Sequence, residues 1–186
     1  MNKKFIKFVF YCLVCICFLG ILFRPVRRVE VFFSPSFDCE SNIINAISNT
    51  EKTLDIAVFS MTNRTILNAL LKAHERGVLI RFLGDRTMEL NKHSVFPKLK
   101  EAGISFRFND AFELEHNKFA IYDDDIVLTG SYNWTRSASY SNSENCIFLH
   151  NDKKVVQRYK ERFDYLWKLN DDPTVKLHAE IINRNK

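Results

Sequence analysis

Between residues 28 and 169, short runs rich in β-branched and aromatic residues alternate with stretches whose apolar residues recur at helical spacing. This alternation constrains the fold more than any other feature. A strand run that is apolar throughout has to be covered on both sheet faces, and helices placed between strands supply that cover. The pattern predicts an α/β domain with a mixed, largely parallel sheet flanked by helices on both faces. The strand runs are residues 28–34 (RVEVFFS), 53–60 (TLDIAVFS), 78–83, 104–108, 119–122, 126–129 and 145–149. Helices are expected over 42–48, with Asp38 or Ser41 as cap, over about 65–76, over 92–101 and over 152–169. Gly77 stands where a C-terminal cap belongs, and Asp123-Asp124-Asp125 reads as an acidic turn between two strands. No internal repeat is present. The tail beyond Asp171 is polar and expected to be frayed.

The charge of this chain is unevenly placed. Its 186 residues carry a formal net charge of +5. Lys3, Lys4, Lys7, Arg24, Arg27 and Arg28 contribute +6 within the first 28 residues, which hold no acid, so the remainder sums to −1. The basic flanks enclose residues 8–23 (FVFYCLVCICFLGILF), sixteen residues without a charge. With Phe5 and Ile6, and Lys7 snorkelling, the run spans roughly 30 Å as a helix, enough for a bilayer core. Residues 5–23 are therefore expected to anchor the chain as a single-pass transmembrane helix. A cleaved signal peptide is the alternative, but bulky Phe23, Arg24 and Pro25 replace a small-residue cleavage site. Three basic residues on each side leave the orientation open. Five Cys cannot all pair with one another. Cys12, Cys15 and Cys17 read as apolar filler of the run, and nothing about Cys39 and Cys146 requires an oxidising compartment.

The residues that carry chemistry concentrate between His116 and Glu144. On an extended strand His116 and Lys118 project to the same side. An imidazole beside an ammonium suits a phosphoryl group: the lysine neutralises non-bridging oxygens, and neutral histidine can attack phosphorus or carry a proton. The same pair could be two solvated side chains on an edge strand. Gly130-Ser131-Tyr132-Asn133 follows a strand and offers a hydroxyl, an amide and backbone donors near a tight turn, also the arrangement of an ordinary helix start. Glu144 precedes an apolar strand and could reach the same sheet end, where a carboxylate would fix a histidine tautomer.

His116-x-Lys118-x4-Asp123, Gly130-Ser131-x-Asn133-Trp134-Thr135 and Glu144-Asn145 together resemble the signature of the phospholipase D superfamily. The resemblance extends over roughly residues 29–169, through Val31-Phe32-Phe33-Ser34-Pro35, Ala57-Val58-Phe59-Ser60 and Arg76-Gly77-Val78-x-Ile80-Arg81. It implies a covalent phosphohistidine on His116, with catalytic roles for His116, Lys118, Asp123 and Glu144 and substrate binding by Ser131 and Asn133. In that scheme Glu144 orients His116, and Asp123 organises its loop rather than moving a proton. No metal or other cofactor is implied. The family's reaction uses two copies of the motif. This chain has one, because His74, His93, His150 and His178 lack Lys and Asp partners at that spacing. The resemblance therefore implies a homodimer with a shared active site, the two His116 side chains facing each other across a two-fold axis.

Small anchored single-motif members of this superfamily include bacterial envelope endonucleases and mitochondrial cardiolipin hydrolases. The latter usually carry a Cys/His zinc insertion after the first strand, which Cys39 alone cannot supply. That favours a bacterial envelope protein, secreted or periplasmic if residues 1–28 are removed. The expected organisation is an anchor or signal segment over 1–28, a phosphodiesterase domain over 29–170 and a polar tail over 171–186. The expected activity is hydrolysis of an anionic phosphodiester, phospholipid or nucleic acid. Alternatives are a metal-independent endonuclease acting mainly on DNA or RNA, a transphosphatidylase and a catalytically silent phosphate-binding membrane adaptor. Residues 62–107 hold nine Lys or Arg against four Asp or Glu, and residues 108–152 hold two against eight. This segregation fits a basic groove as well as it fits solvated helix faces. Phe108, Ala111, Phe112 and Leu114 could form an apolar loop beside the site for a lipid.

Overall fold

The computed structural model describes residues 5–7, 9–11, 26–89 and 91–171. Most of the run expected to anchor the chain lies outside these residues, as does the polar tail. No helix among the described residues is long and apolar enough to cross a membrane. Seven strands, β1 (Arg28–Ser34), β2 (Thr53–Val58), β3 (Leu79–Asp85), β4 (Ser105–Asn109), β5 (Lys118–Tyr122), β6 (Ile126–Gly130) and β7 (Glu144–His150), form one sheet in the order β1-β7-β6-β5-β2-β3-β4. Among the described residues α1 (Asp38–Asn49), α2 (Arg64–Glu75), α3 (Phe96–Glu101) and α4 (Arg136–Tyr140) connect strands, and α5 (Lys153–Leu169) follows β7.

The sheet is mixed, as expected, but not largely parallel. Only β2–β3 and β3–β4 run parallel, and the other four pairings are antiparallel. The reason lies in the connections. Parallel neighbours need a long crossover, which α2 and α3 provide. Between β5 and β6 there is only the Asp123–Asp125 turn, so the chain must double back. Asp123 and Asp124 take left-handed backbone angles there, with φ of 51° and 54°, a conformation aspartate tolerates better than most residues.

Helices do cover both faces. On one face, α1, α2 and α3 pack Ile43, Ile47, Leu67, Leu70 and Phe96 against Leu54, Ile56 and Phe82. On the other, α5 lays Val156, Phe163 and Leu166 over Ala57, Leu83, Phe119, Ile121 and Val127. Leu54, Ile56 and Val58 against Ala57 show the two-residue alternation that divides the β2 run between two cores.

Helix starts differ from expectation in three places. α1 begins at Asp38, four residues before the expected Asn42, because Ser36 Oγ accepts the Asp38 amide at 3.1 Å and stops the preceding turn. α2 is capped by Asn63, whose side chain accepts the amides of Thr65 and Ile66 at 2.9 and 3.2 Å. α3 starts only at Phe96, with Pro97 in its first turn, since Asn91 Oδ1 ties the preceding residues into a turn through the His93 amide. Gly77 closes α2 with φ of +92°, as its position predicts.

Strand directions decide what gathers where. β1, β2, β3 and β6 end at one edge of the sheet, and β5 and β7 begin there: Ser34 pairs with Glu144, Val58 with Lys118, and Gly84 lies beside Val58. Loops leaving and entering that edge carry nearly all the residues singled out from sequence.

Candidate active site

Five of the six expected site residues, His116, Lys118, Ser131, Asn133 and Glu144, are borne by the segments that meet at this edge, and the sixth, Asp123, is not. His116 stands just before β5, exposed, with its ring 4.9 Å from that of Phe59 in the loop after β2. Among the described residues no hydrogen bond reaches either ring nitrogen of His116. The imidazole is held by ring contact alone and both nitrogens are open to a substrate.

Lys118, half-buried beside it, donates from Nζ to the His116 carbonyl at 2.6 Å and lies over the Phe59 ring at 5.2 Å. One of three ammonium protons is thus used. Desolvation lowers the Lys118 pKa from its ordinary value, and the charges of Glu144, Glu115 and Asp85 oppose that shift. A lysine placed so is a weakly hydrated cation, which strengthens its attraction for a phosphate oxygen.

Gly130 ends β6 with φ of +146°, and a Cβ there would lie 2.3 Å from the Asn145 carbonyl oxygen. Only glycine permits this approach, and the amides of Ser131 and Tyr132 then both donate to that same carbonyl, at 3.1 and 3.2 Å. Ser131 is fixed further by donating to Glu144 Oε2 at 2.6 Å and accepting the Asn145 amide at 3.1 Å. Asn133 turns its Oδ1 to the Ser60 amide at 3.3 Å, so its Nδ2 is the donor left for an anion.

Glu144 spends its carboxylate on neighbours other than His116. Its carboxylate takes Ser131 on one oxygen and Asn142 Nδ2, at 3.0 Å, on the other, and among the described residues no hydrogen bond joins it to His116. The cause is topological: β6 lies between β7 and β5, setting Glu144 about two strand spacings, near 10 Å, from the histidine strand. Its charge still acts on Lys118.

Asp123 lies at the opposite end of β5. Its carboxylate accepts the amides of Glu51, Lys52 and Thr53 at 2.8, 2.7 and 2.9 Å, clamping the entry of β2 to the β5–β6 turn. A five-residue strand, roughly 16 Å long, separates it from Lys118. The structure thus places Asp123 apart from the other five, at the turn it was expected to organise.

Two buried acids escaped the sequence reading. Asp85 and Glu115 are each 1% exposed, and Asp85 Oδ2 accepts the Glu115 amide at 2.6 Å. Glu115 Oε1 accepts the Asn117 side-chain amide at 2.6 Å, so the pair holds the backbone on both sides of His116. Burial raises the Glu115 pKa above its ordinary value, against hydrogen bonds from Asn117. A signal existed for Asp85: an acid closing an apolar run at the carboxyl edge of a parallel strand is a recurrent place for site residues.

A family model described as "Cardiolipin synthase, PLD-like domain" matches residues 43–167, and the chain belongs to that family. The mitochondrial cardiolipin hydrolase of Xenopus laevis is 31% identical over 170 residues, 86% of this chain and 80% of that protein. The mitochondrial cardiolipin hydrolase of Chlamydomonas reinhardtii is 36% identical over 141 residues, 76% of this chain but 63% of that protein. Among solved structures, Nuc, a phospholipase D family member from Salmonella typhimurium, superposes with a TM-score of 0.74 at 28% identity, covering 77% of this chain and 95% of Nuc.

Proposed function

We propose that this chain hydrolyses phosphodiester bonds through a covalent phosphohistidine on His116. The observation that carries the reading is the His116 imidazole, free at both nitrogens, beside the partly desolvated Lys118 ammonium. Attack of a neutral ring nitrogen on phosphorus forms the N–P bond and expels the alcohol oxygen, which takes a proton from a second imidazole. Water then attacks phosphorus, giving its proton to that imidazole, and the N–P bond breaks to restore His116. Lys118 and Asn133 Nδ2 hold the non-bridging oxygens, where negative charge grows in the transition state. Ser131, fixed by Glu144, adds a backbone-anchored hydroxyl at the same edge. Glu144 also sustains the positive charge on Lys118, whereas Asp123 secures the hairpin on which the strand depends.

The second imidazole comes from another copy of the chain, and this supports the homodimer reading. Within the described residues, His150 sits at the far end of β7, bonded to Glu30 at 2.7 Å, His74 lies on α2, and His93 stands in the turn before α3, lining a groove beside Ser60 but without the Lys and Asp partners of the motif. Membrane attachment through residues 5–23, in an envelope location, remains part of the proposal and rests on the apolar run with its basic flanks.

The test is a metal-chelated assay of the full chain on a generic diester, with mass spectrometry of the quenched enzyme. A phosphoryl adduct on His116 is expected, and turnover without one sinks the covalent route. A catalytically silent adaptor would yield neither adduct nor turnover, and a product carrying added alcohol in place of water would indicate transphosphatidylation. Mixing intact chains with His116→Ala chains should lower activity per intact chain if the site is shared.

A further inference from the structure

A polar groove of about 730 Å³ opens beside the active-site edge. It is continuous with the site, because Ser60 lines it while donating its amide to Asn133 Oδ1, and Trp134 N returns a bond to Ser60 O at 3.1 Å. Its walls carry the hydroxyls of Thr62 and Thr135 and the guanidinium groups of Arg64 and Arg136.

The two arginines differ from the other arginines described. Arg27, Arg28, Arg81, Arg86, Arg107 and Arg158 each pair with a carboxylate. Arg76 donates to the carbonyls of Ile47 and Thr50, and Arg162 lies over the Phe112 and Tyr165 rings. Arg64 and Arg136 are exposed and have no carboxylate partner among the described residues. Arg136 instead lies 5.6 Å over Tyr140, which meets Phe37 edge-on at 5.4 Å; the two rings are 45% and 66% exposed. Glu40, the one acid in the lining, is turned inward and accepts the Ser139 hydroxyl at 2.8 Å.

We propose that this groove binds the phosphates flanking the scissile one in a single-stranded nucleic acid, with Arg64 and Arg136 as phosphate contacts and the Phe37–Tyr140 pair as a stacking face for a base. The inference rests on the reading of the His116 edge as a phosphodiester-cleaving centre and names its substrate class. Unpaired guanidinium groups in a groove that adjoins a phosphate site match a polymer that repeats its anion. A phospholipid would need an apolar slot for its acyl chains, and apart from Tyr140 the lining here is hydroxyl, amide, imidazole, guanidinium and one inward-turned carboxylate. The aromatic cavity of about 510 Å³ lined by Phe96, Phe106 and Phe108 lies at β4, three strands from β5, and its Arg86 and Arg107 are already paired.

The test uses the full chain. Hydrolysis of bis(4-nitrophenyl) phosphate by the unaltered protein checks the catalytic reading by itself. Binding of a fluorescent oligothymidylate is then measured against salt in the His116→Ala chain, which leaves the strand intact. The same chain with Arg64→Gln and Arg136→Gln should bind roughly tenfold more weakly, with a log–log salt slope shallower by about 1.4, or about 0.7 per lost phosphate contact. Arg158→Gln combined with Lys154→Gln, a charge-matched change at exposed positions of α5, should leave both readings in place. An unchanged affinity and slope in the double variant overturns the subsite while leaving the catalytic reading standing. Binding to anionic phospholipid vesicles that depends on the two arginines, without oligonucleotide binding, also overturns it and assigns the groove to lipid. Absence of diester hydrolysis overturns both readings, since the groove is argued from the site it adjoins.

Discussion

The two ends of β5 treat their polar groups in opposite ways. At the Asp123 end every acceptor is used: three backbone amides converge on one carboxylate, and the Asp123 amide closes the ring by donating to Thr53 O at 2.9 Å. At the His116 end Ser131 and Glu144 are satisfied within the chain, but three groups are positioned and not consumed. The imidazole has no hydrogen-bond partner among the described residues, Lys118 spends one donor, and Asn133 spends its oxygen and keeps its amine. Groups satisfied within the chain stabilise the fold. Groups held in place and left unsatisfied are the ones a ligand can complete.

The sharpest way to break this contrast is to exchange the effects of the two ends. His116→Ala should reduce diester hydrolysis by on the order of 10⁴-fold or more while leaving the thermal midpoint nearly unchanged, because the ring is exposed and makes one aromatic contact. Asp123→Ala should do the reverse. Loss of three charge-assisted bonds should lower the unfolding free energy by about 2–3 kcal/mol in urea, with activity per folded molecule retained. A catalytic loss at Asp123 as large as that at His116 would erase the distinction.

Two smaller effects sharpen it. Gly130→Ala places a Cβ against the Asn145 carbonyl and should destabilise by about 1–3 kcal/mol, lowering activity as well because Ser131 follows directly. Glu144→Gln keeps the shape and the Ser131 bond but removes a charge, for an expected loss of roughly tenfold in kcat/KM. Its pH profile tests the electrostatics. Desolvation already holds Lys118 below the ordinary lysine pKa, and Glu144 opposes that shift, so its neutralisation should move the alkaline limb of kcat/KM to lower pH. A limb that stays in place would show that Lys118 is not the group titrating.

Much of this was legible from spacing. The runs rich in β-branched and aromatic residues located all seven described strands, and the 3.6-residue pattern located α2 and α5 to within a residue or two. The motif residues, apart from Asp123, fall together at one sheet edge. Sheet direction was misjudged because alternation of strands and helices suggests crossovers everywhere, whereas the pairings of β1, β5, β6 and β7 follow from short turns and from which edge each strand joins. Asp85 and Glu115 stayed hidden for a similar reason. Asp85 lies thirty residues upstream of Glu115, and nothing local reports that they will be buried together.

Local chemistry determined which side chains this chain could bring to a phosphodiester: an imidazole and an ammonium two residues apart on an extended segment, and a glycine where no Cβ fits. Tertiary structure decided which of them work together. The antiparallel register puts His116, Lys118, Ser131 and Glu144 at one sheet edge and carries Asp123 to the other, and β6 keeps Glu144 from the histidine. The loops after β2 and β6 also join Ser60 to Asn133 and so extend the site into the groove of Arg64 and Arg136. Residue spacing along a chain sets reach only over a few positions, while strand order, fixed by burying two apolar faces at once, sets which distant residues share an edge.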